Sequence, residues 1–271
     1  MKRLSLLFLA AAFVLVGCAG DNPSGPSGGT LDVVTGLTID ESGSSGDQVV
    51  LNWTAVSDVD GYYVYWRANN EGSWSQVGDV TGTTYTHTAN SAGGYAVMAY
   101  KGDDTSSDYS NVVDCMPNIV TGSYTIYDNY APAEDPSGFI FHDTYGETGM
   151  ASSGSFDQDI YAYDPWTDAD RLALYSGDYG PFGNGEPTMM IGYGDQGCDL
   201  YGKAPDGSAG WWDNGEIYQG DVIFCQLFDD YYTKMYINTI APDGVSAHGT
   251  YVTFTFEFQP INGLRLFTTN S

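Results

Sequence analysis

Between residues 232 and 258, side chains of opposite character take alternate positions. Tyr232, Lys234, Tyr236 and Asn238 interleave with Thr233, Met235, Ile237 and Thr239, while Tyr251, Thr253, Thr255 and Glu257 interleave with Val252, Phe254, Phe256 and Phe258. Successive side chains of an extended strand point to opposite faces, so a period of two calls for a sheet with one oily face and one polar face. The connection from Ala241 to Gly249 contains Pro-Asp-Gly, and the two runs read as antiparallel neighbours. No long segment has helical period. With 22 Tyr and 35 Gly among 271 residues, and turns such as Asp60-Gly61 and Asn214-Gly215, the whole chain is expected to be all-β.

The amino-terminal end is of another kind. Met1, Lys2 and Arg3 form a short basic start, and Leu4 to Val16 an apolar run closed by Gly17. Residues 1–17 have the organisation of a signal peptide, with a run too short to span a bilayer as a mature helix. Leu15-Val16-Gly17-Cys18 resembles the lipobox of bacterial lipoproteins. That resemblance implies cleavage before Cys18 and acylation of its sulfur and amine, with each buried methylene contributing roughly 0.8 kcal/mol of membrane attachment. Ala19, where an Asp would retain the protein, is similar to the outer-membrane sorting pattern. Residues 19–30, AGDNPSGPSGGT, cannot bury apolar area, so 18–30 reads as a lipidated Cys and a flexible linker spanning at most about 40 Å.

Against 8 Lys and Arg stand 35 Asp and Glu, a formal charge of -27. Such a surface repels nucleic acid, which is excluded as a partner, and anionic headgroups, so the only membrane contact expected is through the lipid. Hydrophobic residues at 42% nevertheless supply enough apolar area for folded cores.

Residues 31–114 carry several short alternating runs. They are Val33 to Ile39, Val49 to Thr54, Tyr62 to Arg67, Thr83 to Thr88, Tyr95 to Tyr100 and Tyr109 to Val113. Val49, Leu51 and Trp53 share one face. The segments LNWTAVSDVDGYYVYWR, TTYTHT, GGYAVMAY and SSDYSNVV together resemble a fibronectin type III domain, with Tyr95 at the tyrosine-corner position. The resemblance implies a β-sandwich acting as a spacer or adhesion module. No Arg-Gly-Asp occurs. Trp66 and Trp74 are expected to pack across strands on the outer sheet face, with a sugar-binding platform as the alternative, and His87 to be an exposed strand residue.

A Pro-containing joint at 114–118 leads into residues 115–271, a second, larger antiparallel β domain. Its strands are expected at Gly122 to Tyr127, Gly138 to His142, Asp159 to Tyr163, Arg171 to Tyr175, Thr188 to Tyr193, Asp221 to Leu227, Thr233 to Ile240 and Thr250 to Gln259. GDVIFCQLFDDYYTKMYINTI followed by GTYVTFTFEFQPINGLRLF is similar to the end of the HmuY-like β proteins, exported bacterial proteins whose founding members bind haem. In that light His142 and His248 are candidate haem ligands, weighed against two structural or solvated histidines.

Three other constellations are candidates. Trp166, Trp211 and Trp212 lie in loop-like contexts, where exposed indoles stack on sugar faces, although Trp also plugs cores. Asp157, Asp159, Asp164, Asp168 and Asp170 form acidic clusters able to offer oxygen ligands to a structural calcium, without the spacing of an EF-hand loop; a merely acidic surface is the competing reading. Cys198 and Cys225 are a candidate disulfide, which leaves Cys115 unpaired; three free thiols are the alternative.

For catalysis the pattern is poor. Metal-assisted hydrolysis wants clustered histidines, whereas His87, His142 and His248 are scattered over both domains. Carboxylates are so frequent that a glycosidase pair cannot be picked out. The chain therefore reads as a non-enzymatic, lipid-anchored protein of the cell envelope, expected at the outer membrane, whose type III spacer presents a β domain for adhesion to a glycan or surface protein. The competing readings are a glycan- or haem-capturing lipoprotein of nutrient uptake and a polysaccharide hydrolase.

Overall fold

The computed structural model describes residues 31–132, 134–141, 148–152, 157–166, 171–193, 201–244 and 249–269. The alternating runs become eighteen strands, with no helix among the described residues. The chain is all-β, as its periodicity requires.

The first sandwich sets a sheet of β1 (Thr38–Ile39), β2 (Gln48–Asn52) and β5 (Thr84–Thr88) against a second one. In that second sheet the order is β4 (Ser75–Val80), β3 (Gly61–Ala68), β6 (Gly93–Lys101) and β7 (Asp104–Thr105), and β8 (Val113–Asp114) also pairs with β6. Val49, Leu51 and Trp53 face inward as their alternation demands and meet Tyr62, Val64, Tyr95 and Val97. The run from Val33 to Ile39 is mostly not a strand. Gly36 sits at φ +67°, where a β-carbon would lie 2.6 Å from the Thr54 hydroxyl, and this left-handed turn breaks the extended chain. Tyr109 to Val113 is likewise docked mainly by side chains. Asn111 bonds both backbone groups of Leu37, and the Ser110 hydroxyl accepts the Val97 amide at 3.0 Å.

Two five-stranded antiparallel sheets make the second sandwich. One runs β11 (Gly149–Ala151), β10 (Gly138–Ile140), β12 (Ile160–Tyr163), β13 (Leu172–Ser176) and β15 (Asn214–Ile217). The other runs β14 (Met189–Tyr193), β16 (Val222–Gln226), β17 (Tyr232–Pro242), β18 (Thr250–Gln259) and β9 (Asn118–Tyr127). Val252, Phe254 and Phe256 of β18 and Met235 and Ile237 of β17 fill the space between the sheets. Phe139 meets Phe254 edge to face at 4.9 Å, and Phe141 meets Phe256 in the same way at 5.1 Å. A register shift between Ile237 and Thr239 ends the strict alternation of β17.

Cys225 is a free thiol, buried between these sheets and pushed up to about 12 by that burial. It is not bridged, which corrects the expected disulfide; its partner in that expectation, Cys198, lies outside the described residues. Cys115 is also free, and it is enclosed in the first sandwich's core.

The expected division at 114/115 is crossed at the carboxyl-terminal end. After Gln259 the chain leaves β18, makes a turn at 261–264 and runs on as a strap, residues 260–269, between the two sandwiches. On one side Gly46 donates to Gly263 O at 2.7 Å, Arg265 donates to Gly46 O at 2.7 Å and Ala92 donates to Phe267 O at 2.9 Å. On the other side Ala204 donates to Arg265 O and Phe267 to Gly202 O, both at 2.8 Å. Side chains follow the same two-sidedness. Ile261, Leu264 and Leu266 enter the core of the first sandwich, whereas Phe267 joins Ala204, Phe224 and Tyr232 on the outer face of the second.

Candidate functional site

The outer face of the β12/β13/β15 sheet is built from residues two apart. Ile160 and Ala162 point into the core, so Tyr161 and Tyr163 point out. Across the ladder Tyr161 pairs with Tyr175, and Tyr163 pairs with Ala173, which in turn pairs with Glu216. The rings meet across the strands: Tyr163 and Tyr175 stand edge to face at 5.1 Å, and Tyr161 and Tyr175 are tilted at 5.3 Å.

The loop after β13 folds back over this face and adds two more rings. Tyr179 lies 6.0 Å from Tyr175, and Phe182 lies 6.1 Å from Tyr163. Three bonds fix the loop: Tyr161 donates its hydroxyl to Tyr179 O at 2.6 Å, and the Gln158 amide donates to Phe182 O at 2.9 Å and Gly177 O at 3.2 Å. Gly180 is required at its apex. It has φ +79°, and a β-carbon there would lie 2.5 Å from the Tyr161 hydroxyl and 2.7 Å from the Tyr175 ring. Burial pushes the Tyr161 phenol up to about 12 and raises that of Tyr175.

Trp166 borders the same face. Its amide donates to Asp164 Oδ1 at 2.8 Å, which turns the chain at the end of β12. The Arg171 guanidinium sits 3.8 Å from the centre of the indole and grips Glu216 with both arms, Nε to Oε1 at 2.7 Å and one terminal nitrogen to Oε2 at 3.0 Å. That bond holds the Glu216 carboxyl below the usual range, and Glu216 in turn raises the phenol of neighbouring Tyr218. Trp166, Tyr179 and Tyr218 are 37%, 44% and 59% exposed, and Tyr163, Tyr175 and Phe182 are half-buried.

The expected platform of three tryptophans is not formed. Trp211 and Trp212 are consecutive in an extended segment and turn opposite ways. Trp211 packs by Tyr232 on the outside of the second sheet and donates to Asp206 O at 2.9 Å, while Trp212 packs against the core between the sheets. Trp166 stands at the Tyr163/Ala173 end of β12 and β13, and Trp212 precedes Asn214, which pairs with Tyr175 toward the other end. Only Trp166 belongs to the aromatic face.

The acidic candidates are likewise separated. Asp159 and Asp164 flank β12, so about 16 Å of extended chain lies between them. Asp159 accepts the Phe141 amide at 2.7 Å, and Asp164 holds Trp166. Among the described residues, Asp157 included, no group of three His, Cys, Asp or Glu side chains is placed to hold a metal ion. Asp168 and Asp170, the haem candidates His142 and His248, and the lipidation candidate Cys18 lie outside the described residues. His87 is not an exposed strand residue: it is half-buried, with Nδ1 at 3.0 Å from the Tyr95 hydroxyl, and burial lowers its pKa. Trp74 stacks on Tyr109 at 5.7 Å beneath Arg67, a contact between two residues outside the strands rather than across them, whereas Trp66 leans on the core.

The second sheet also bears an open cleft of about 510 Å³ lined by Ile119, Thr121, Tyr236, Asn238, Thr255 and Glu257, with Thr268 at its border. Its one carboxylate is fully engaged. Glu257 accepts from the Tyr236 hydroxyl at 2.6 Å, the Thr268 hydroxyl at 2.6 Å and the Thr268 amide at 3.0 Å, so it serves as an anchor for the strap.

No family model matches the chain, and no curated protein matches it. Solved structures similar to it include the fibronectin type III domain of human collagen XX, with 19% identity, 34% of this chain and 98% of that one covered, and a TM-score of 0.27. A structure described as FN3tt mut has 16% identity over 31% of this chain and 89% of its own, with a TM-score of 0.25. The FN1–FN3 segment of chicken CNTN1 has 11% identity over 85% of this chain and 65% of its own, with a TM-score of 0.23.

Proposed function

We propose that this chain is an exported, lipid-anchored, non-enzymatic display protein of the cell envelope, in which the first sandwich is the spacer and the second is the head that meets a ligand or partner. The observation that carries this reading is the strap. A spacer must transmit position, and residues 260–269 lie in the cores or on the faces of both sandwiches at once, so head and spacer are held as one unit. The leader and the Leu15-Val16-Gly17-Cys18 resemblance, and the similarity of the closing strands to exported HmuY-like proteins, support the anchored setting. Buried carboxylates support the non-enzymatic part, because each is engaged in holding backbone: Asp128 with Tyr130, Ala131 and Thr250; Asp159 with Phe141; Asp164 with Trp166.

Cell fractionation tests the anchor. The natural chain should sediment with membranes, incorporate labelled palmitate and come off only in detergent. Cys18→Ser should lose the label and leave the membrane with its melting behaviour unchanged. Membrane attachment that survives this substitution defeats the reading.

A further inference from the structure

We propose that the aromatic outer face of β12, β13 and β15 binds a neutral glycan chain built of sugars with mainly equatorial hydroxyls. The proposal rests on the display reading only for its setting and names the ligand class of the head. Three observations carry it.

The first is chemical. Six exposed or half-buried aromatic side chains gather on this face, Tyr163, Trp166, Tyr175, Tyr179, Phe182 and Tyr218. Tyr and Trp also anchor protein interfaces, which is why a second copy of the chain is an arm of the test below. A row of rings is suited to stacking, and a pyranose with equatorial hydroxyls presents flat C–H faces to be stacked upon. Four of the six rings also carry a phenol hydroxyl, which both gives and takes hydrogen bonds at the rim.

The second is preorganisation. The rings are set before any ligand arrives: Tyr161 and Gln158 pin the loop bearing Tyr179 and Phe182, Gly180 lets it lie on Tyr175, and the Arg171–Glu216 fork fixes the plane of the Trp166 indole. Ordering costs that would otherwise weaken a flat, solvent-facing site are thereby already met. The fork also places a cationic donor and an anionic acceptor beside the rings, a pairing that suits hydroxyls, which both give and take hydrogen bonds.

The third is charge. The chain carries -27 in formal charge, and the guanidinium on this face is already matched by Glu216. A uronate or sulfated chain would be repelled, so the ligand is neutral.

The test uses the full chain in detergent, with and without Cys18→Ser, so that glycan binding and anchoring succeed or fail separately. Cellohexaose and xylohexaose serve as flat neutral probes, polygalacturonate as the anionic one, and binding is read by tryptophan fluorescence titration and affinity electrophoresis. The neutral probes should bind, and Trp166→Ala and Tyr163→Ala should each weaken them about tenfold, the equivalent of roughly 1.4 kcal/mol. Tyr218→Ala, the most exposed change, should weaken them without touching the fold, Trp166→Phe should retain most of the affinity, and Trp74→Ala on the first sandwich should change nothing. Polygalacturonate binding as well as cellohexaose overturns the proposal, as does neutral-probe binding indifferent to Trp166, Tyr163 and Tyr218. Failure of every neutral probe overturns it too. So does a sedimentation shift abolished by Trp166→Ala without any glycan bound, which would make a second copy of the chain the occupant.

Discussion

The strap is held in opposite ways at its two ends. In the first sandwich the grip is apolar: Leu264 and Leu266 are fully buried, and Ile261 nearly so, among Val49, Leu51, Tyr95 and their neighbours. In the second, beside the packed Phe267 ring, it is ionic and hydrogen-bonded. Lys234, fully buried, donates to Thr268 O at 2.9 Å and stands 3.8 Å from Glu257, whose two oxygens take the Thr268 amide and hydroxyl. The apolar end supplies attraction without direction, about 1.5–3 kcal/mol for each fully buried Leu. The polar end is satisfied only when Thr268 stands at one position along the sheet, so it selects the register in which the two leucines enter their core.

Breaking the polar grip should have the largest effect. Glu257→Ala leaves the Lys234 ammonium buried without its carboxylate and frees the strap's Thr268 amide and hydroxyl. The expected loss is about 3–5 kcal/mol in urea unfolding, because removal of one member of a buried ion pair leaves the charge of the other uncompensated. Replacing both charges, Lys234→Met with Glu257→Leu, should recover much of that stability while leaving the end of the strap unspecified, visible as faster amide exchange at residues 266–269. Equal loss in the single and double variants would show that the charges do not act as a pair.

Breaking the apolar grip comes next. Leu264→Ala should cost about 3 kcal/mol through lost transfer energy and the cavity left behind. The informative feature is where the loss is felt. Leu264 follows the second sandwich in sequence, yet its removal should lower the melting of the first, reported by the Trp53 environment. If only the second sandwich is weakened, the strap is not part of the first core.

Why the alternating strands were readable and the strap was not follows from where the information lies. The strands at 250–259 and 61–68 could be placed because inward and outward residues alternate within the segment itself, and Val252, Phe254 and Phe256 face as their order says. β4 escaped because a bulge at Val64/Tyr65 displaces its register: Val77 and Val80, three apart, both reach the core, and no period of two survives. β11 and β15, Gly-Met-Ala and Asn-Gly-Glu-Ile, have no apolar alternation to see. In the strap Leu264 and Leu266 do alternate with Arg265 and Phe267, but nothing local says that a different body stands on each side, or that outward-facing Tyr232, Lys234 and Glu257 are to be covered. The aromatic face was partly legible in the same sense. The spacing of Tyr161 and Tyr163 puts both on one face of a strand, whereas the return of the loop with Tyr179 and Phe182, and the fork of Arg171 to Glu216, join residues that only the folded sheet brings together.

A third contact across the same junction, Lys203 to Asp47 at 2.8 Å, should matter least. It is a partly exposed pair, so Lys203→Met is expected to cost only about 0.2–1 kcal/mol. Its pH dependence separates it from the apolar grip. The hydrogen bond from Lys203 holds the Asp47 carboxyl below its ordinary value, so on acidification the unfolded chain takes up this proton first. The contribution is therefore complete above the unfolded value near about 3.9 and disappears as the pH falls through the lower, folded value. Urea unfolding between about pH 5 and pH 2 should show the natural chain losing its advantage over Lys203→Met across that window, with the two converging at the acid end. The apolar grip at Leu264 has no ionisable group and should give a Leu264→Ala difference that stays constant over the same range. If the Lys203 difference is as flat as the Leu264 one, the contact between Asp47 and Lys203 is packing and not charge.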